Sequence, residues 1–263
     1  MDLGLKGKAA MVAAASKGLG FAVARMLARE GANVSICSHD EISIQRARSN
    51  IEQETKMRVV ACAADLRSAS AIQQWYEATT TAFNGVDILF VNSGGPPAGG
   101  FLSFDDQVWQ ETIDVLLFSA VRMVRAVIPS MKQRGGGSIV FSASSSVKEP
   151  IENLILSNVV RAAVPALSKT LAREFAKDGI RCNTIVPGRI DTERVRSLDA
   201  INAQKRNVTV AEQKEMMQAA IPLGRYGDVD EYAHAAVFLL SPASSYITGA
   251  TLQVDGGMIK SVI

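Results

Sequence analysis

The stretch KAAMVAAASKGLGFAVARMLAREGA holds the first residues arranged to do chemistry. A short apolar run leads into the turn Ser16-Lys17-Gly18-Leu19-Gly20, and a helical pattern follows. Glycines in a strand-to-helix turn let backbone N–H groups come close to a ligand, and the helix N-terminus adds partial positive charge; together they suit a pyrophosphate. Other chemistry has fewer candidates. Two histidines, His39 and His234, leave little for a histidine-based nucleophile relay or a metal centre. Three cysteines, Cys37, Cys62 and Cys182, show no CxxC spacing, so they predict apolar packing rather than a disulfide framework or a zinc site.

Such a turn works only where a strand and a helix hold it. Seven apolar runs read as strands: KAAMVAA, NVSICS, RVVACAA, VDILFVN, GSIVFSA, IRCNTIVP and TLQVDG. Helical patterns alternate with them over residues 20–29, 41–54, 69–83, 106–133, 154–177 and 229–240. Gly31 and Gly179 are placed to close two of these helices in the left-handed conformation. The alternation predicts an α/β chain with a parallel sheet covered by helices on both faces. One interval, residues 189–227, breaks the rhythm and reads as a substrate-loop insertion or a pair of surface helices.

With 263 residues and no polar or Pro/Ser-rich linker, a single domain spanning 1–263 is expected. Lys and Arg number 28 against 26 Asp and Glu, which leaves almost no net field and argues against a nucleic-acid partner. The apolar run AAMVAAA is far below the ~18 residues of a membrane span, and SKGLG follows it where a signal peptide would carry its cleavage region. A cytoplasmic protein without a membrane partner is the expectation.

On several motifs the chain resembles the short-chain dehydrogenase/reductases. The family's TGxxxGxG turn matches Ala13-Ala14-Ala15-Ser16-Lys17-Gly18-Leu19-Gly20, with Ala13 and Ala14 in place of its threonine and first glycine, so the turn must tolerate a Cβ at residue 14. Asp65-Leu66 follow the third strand, Asn92-Ser93-Gly94-Gly95 stand for NNAG, Pro187-Gly188 with Thr192 match PGxxxT, and Val254-Asp255-Gly256-Gly257 lie near the end. The resemblance implies a seven-stranded, doubly wound Rossmann fold. It implies that Ala14, Ser16, Lys17, Gly18, Leu19 and Gly20 cradle the dinucleotide and that Asp65 and Leu66 border its adenine. Asn92 and Gly94 would lie beside the adenosine half, and Pro187, Gly188, Ile190 and Thr192 would meet the nicotinamide end. The second strand ends Cys37-Ser38-His39, without the acid that would bind the ribose hydroxyls of NAD; the nearest, Asp40, lies one step too far. Lys17, Ser38 and His39 can instead hold a 2′-phosphate, so NADP is expected ahead of NAD.

The family's proton relay departs from its pattern. Its serine falls on Ser144; its YxxxK tyrosine and lysine fall on Ser157 and Arg161 in LILSNVVRAAV, and its asparagine on Leu116. A serine hydroxyl cannot be tuned to donate as a phenol can, and arginine stays protonated. Arg161 can still bind the nicotinamide ribose and stabilise an alkoxide, with Ser144 and Ser157 bonding the carbonyl oxygen. Pro165 would leave the Arg161 carbonyl free inside a continuous helix. Lys148, Glu149, Asp191 and Glu193 are candidate substitute acids or solvated loop charges, and Arg189 and Arg194 could hold an anionic substrate group. The general likeness is to a divergent 3-oxoacyl-carrier-protein reductase-like branch. It implies an NADP-dependent carbonyl reductase or alcohol dehydrogenase acting on a small molecule; the alternative is an inactive NADP(H)-binding sensor or assembly subunit. A homotetramer built on helices 106–133 and 154–177 is expected, with Val115, Phe118, Val121, Val164 and Leu167 on its faces or in the core.

Overall fold

The apolar runs become the seven strands of one sheet. In the computed structural model, which describes residues 2–262, these are β1 (Ala9–Val12), β2 (Asn33–Ser38), β3 (Val59–Ala63), β4 (Ile88–Val91), β5 (Gly137–Ser142), β6 (Ile180–Pro187) and β7 (Thr251–Val254). They run parallel in the order β3-β2-β1-β4-β5-β6-β7. The order reverses between β1 and β4, and that switch point opens a crevice beyond the strands' carboxyl ends, where ligands of such sheets bind.

Period-two alternation explains the two layers. Ala10 and Val12, Val34 and Ile36, and Ile88 and Phe90 pack into one buried cluster with α1 (Gly18–Arg29), α2 (Glu41–Thr55) and α10 (Val229–Leu240). Their neighbours Met11, Cys37, Leu89 and Val91 point the other way, into a cluster with α3 (Ala69–Phe83), α5 (Ser119–Gln133) and α7 (Ala163–Glu174). Cys37 and Cys182 are fully packed there, and burial pushes both thiols well above their ordinary range, Cys182 to about 12. The apolar packing expected of them is what they do.

The two long helical stretches are not continuous. Residues 106–133 form α4 (Asp106–Ile113), a π-helical turn (Asp114–Phe118) and then α5. Residues 154–177 divide into α6 (Ile155–Val160) and α7, with Arg161 and Ala162 between them. Pro165 therefore sits in the first turn of α7, where a missing N–H costs little. The Arg161 carbonyl is not left free: it accepts from the Val164 N–H at 3.0 Å. The long interval carries α8 (Glu193–Arg206) and α9 (Val210–Ala219), capped by Thr192 and by a Thr209/Glu212 capping box.

Candidate active site

The glycine turn lies at the switch point. Gly18 has φ +61°, and a Cβ on Gly20 would stand 2.4 Å from the Ala14 carbonyl oxygen, so only glycine fits there. Ala14, where the family has glycine, occupies the left-handed region at φ +48°. Its carbonyl also accepts from Asn92 Nδ2 at 3.3 Å, which ties the end of β4 to the turn. Lys17 is the N-cap of α1 but its side chain caps nothing, and the first turn holds no acid. The leading N–H groups of α1 are therefore open to an anion, and the donor set fits the pyrophosphate of a dinucleotide.

Around the adenine end, Ser38 is buried at the tip of β2 and His39 is exposed. Asp40 caps α2 by accepting from Ser43 N at 2.7 Å, which holds its carboxyl below the usual range and occupies it. Asp65 binds Arg67 through both carboxylate oxygens, at 2.8–3.1 Å, and Leu66 is buried. The Lys17 ammonium is held by Glu193, 2.6 Å away across the crevice. On the far side, Thr192 lies with its methyl against the glycine turn, 3.8 Å from where a Cβ on Gly18 would be. A Cβ on Gly188 would meet Asp255 at 2.6 Å, and Ile190 is buried beside Gly227, so the Pro187-Gly188 turn and the Asp255-Gly256-Gly257 segment are packed together.

At the relay positions the structure gathers hydroxyls around a buried cation. Ser144 follows β5 and accepts from Ser146 N at 3.2 Å. The Ser157 hydroxyl, 6% exposed, bonds Ser146 Oγ at 3.3 Å, so Ser146, unnoticed in the run Ser144-Ser145-Ser146, is the neighbour that Ser157 meets. Arg161 is 8% exposed and donates to the Ser142 carbonyl at 3.3 Å and the Gly94 carbonyl at 3.5 Å. Burial brings its guanidinium down to about 10; the like charge of Arg194 adds to this, while Tyr232 opposes it. Tyr232 stands behind, its hydroxyl 2.8 Å from Ser142 Oγ and fully within the core. Leu116 is buried in the π-helical turn.

Most of the candidate acids and one candidate arginine are already committed. Arg189 is ion-paired to Asp199, which is 2% exposed and also accepts from the Tyr226 hydroxyl at 2.8 Å. Arg189, one of the two arginines expected to hold a substrate anion, is thus engaged in an ion pair within the protein. Asp191 binds Arg196 and Lys214, Glu193 binds Lys17, and Glu149 accepts from the N–H groups of Lys260 and Ser261. Arg194 differs: it donates to the Pro96 carbonyl at 2.7 Å and has no carboxylate partner among the described residues.

The family model described as enoyl-(acyl carrier protein) reductase matches residues 13–259. Dehydrogenase/reductase SDR family member 4 of Homo sapiens is 32% identical over 96% of this chain and 88% of its own length. The 3-oxoacyl-[acyl-carrier-protein] reductase FabG of Vibrio cholerae is 33% identical over 97% of this chain and 99% of that protein. The crystal structure of L-sorbose reductase from Gluconobacter frateurii, complexed with NADPH and L-sorbose, superposes with a TM-score of 0.95 at 31% identity over 100% of both chains. The chain belongs to the short-chain dehydrogenase/reductase family and is an NAD(P)-dependent oxidoreductase of the carbonyl/alcohol type. No helix among the described residues is long and apolar enough to cross a membrane.

Proposed function

We propose that this chain is an NADP-dependent carbonyl reductase or alcohol dehydrogenase that works through Ser144, Ser157 and Arg161 in place of the family's serine, tyrosine and lysine. One observation carries the reading: a buried guanidinium whose hydrogen-bond partners among the described residues are two main-chain carbonyls, beside the Ser144, Ser146 and Ser157 hydroxyls. When bound, NADPH supplies a hydride to the carbonyl carbon. Arg161 would bind the nicotinamide ribose, and its charge would stabilise the substrate oxygen as it becomes an alkoxide. Ser144 orients the carbonyl oxygen by hydrogen bonding, and Ser146 holds Ser157 in place for the same task. With no free acid within the hydroxyl cluster, solvent supplies the proton. Lys17, now paired with Glu193, would hold the 2′-phosphate, and the absence of a ribose-binding acid at the end of β2 supports NADP over NAD. The binding of NADPH by L-sorbose reductase supports the same cofactor.

The reading includes a cytoplasmic homotetramer docking through the 106–133 and 154–177 helical stretches. Phe118 at 43% exposure and Val159 at 53% support it, whereas Val164 is buried and belongs to the core. A second reading, an NADP(H)-binding sensor or assembly subunit without turnover, is favoured by Leu116 and by the inward-facing Ser157. NADPH oxidation across ketones, aldehydes and oxo acids, alongside direct binding of NADPH and NADH, separates the two. Turnover that survives both Ser144→Ala and Arg161→Ala removes the proposed mechanism. Tight NADPH binding with no turnover selects the second reading.

A further inference from the structure

Two arginines grip one loop, and neither has a carboxylate partner among the described residues. Arg161, itself buried, reaches the Gly94 carbonyl. Arg194, in the first turn of α8 and exposed, reaches the Pro96 carbonyl. Its guanidinium lies directly over Gly95, where a Cβ would stand 3.0 Å from Nε and 3.2 Å from Cζ and Nη2. Glycine at 95 is thus what lets the side chain lie flat along the crevice. The nearby cations are paired instead: Arg189 with Asp199, Lys17 with Glu193, and Arg196 and Lys214 share the one carboxylate of Asp191. Arg161 and Arg194 also repel each other, since the charge of one disfavours the other. Two like charges held together in a partly desolvated crevice are stabilised when an anion enters between them, and a planar fork suits a carboxylate.

We propose that Arg194, working beside the buried charge of Arg161, is the anion subsite of the substrate pocket, and that the substrate is an oxo acid whose carboxylate lies on Arg194 while its carbonyl faces Arg161 and Ser144. This rests on the reading of the chain as a carbonyl reductase and names its substrate class. The rival occupant for Arg194 is the cofactor's pyrophosphate, whose own cradle is the glycine turn.

The test compares kcat/KM for 2-oxo and 3-oxo acids with that for their neutral methyl-ketone isosteres, in wild type, Arg194→Met, Arg194→Lys and the surface control Arg196→Met, together with the NADPH dissociation constant of each. The wild type is expected to prefer oxo acids. Arg194→Met is expected to collapse that preference by about 10- to 100-fold, the scale of one charge-assisted hydrogen-bonded contact. Arg194→Lys should restore part of it, and Arg196→Met should leave the ratio unchanged. An equal preference for neutral ketones, with a ratio unmoved by Arg194→Met, overturns the inference while the reductase reading stands. A rise in the NADPH dissociation constant that matches equal losses on both substrate types also overturns it and assigns Arg194 to the pyrophosphate. Failure to reduce any carbonyl compound overturns the reductase reading itself.

Discussion

Replacing Arg161 by methionine separates a catalytic cation from a structural one. The side chain is 8% exposed, and burial takes the guanidinium from its ordinary range above ~12 to about 10. At ~1.4 kcal/mol per pH unit, holding the charge in that place costs about 3 kcal/mol relative to the unfolded chain. The sign follows from the direction: a folded pKa below the unfolded one means that the charged form is destabilising at neutral pH. The long bonds to Ser142 and Gly94 carbonyls offset part of this, each by about 1 kcal/mol. Methionine fills a similar volume without charge, so the variant is expected to be between neutral and about 3 kcal/mol more stable. At about 2–4 °C per kcal/mol, Tm should stay level or rise by up to ~12 °C. Turnover should fall by ~10²-fold or more. Scanning fluorimetry with and without saturating NADPH, and NADPH oxidation on the best substrate, read both quantities. A Tm lowered by 5 °C or more with activity intact would show that Arg161 is a strut for the Gly94 and Ser142 loops, and the mechanism would fall.

Three further outcomes are expected of this molecule. In the glycine turn, Ala14→Gly should stabilise by up to about 1 kcal/mol because φ is positive there, whereas Gly20→Ala should abolish NADPH binding because its Cβ meets the Ala14 carbonyl; calorimetric titration and thermal melts check the opposite signs. Asp87 accepts from Ala9 N at 2.8 Å and from both Arg134 nitrogens at 2.9 Å; burial pushes its carboxyl up, but these bonds outweigh it and hold the carboxyl below the usual range. Its stabilisation is therefore complete above pH ~4 and lost as pH falls through the lower folded value. Asp87→Asn should cost about 2 kcal/mol at pH 7 in urea melts, and the gap from wild type should close in acid. Light scattering should give a mass of four times 28.1 kDa, about 112 kDa; a monomeric mass would refute assembly through the exposed Phe118 and Val159.

Much of this molecule was legible residue by residue. The seven strand runs, the glycine turn and the missing acid after β2 all depend on local pattern: period-two burial, φ requirements and the reach of one side chain. The breaks at Arg161–Ala162 and at the π-helical turn were not legible, because helical periodicity continues through both and only packing against the sheet decides where the ladder shifts. The partners were hidden for the same reason. Nothing in the order of residues pairs Arg189 with Asp199 or Lys17 with Glu193, since the latter lie 176 positions apart and meet only in the folded chain. Ser146 was overlooked although it stands in a run of three serines, since which hydroxyl of a turn points inward is set by backbone direction. The amino-acid sequence by itself determined the sheet and the glycine turn between β1 and α1, because those rest on residue type and local spacing. Which arginine kept an unpaired charge was decided only by tertiary structure, because charge neutralisation is a matter of distance in space.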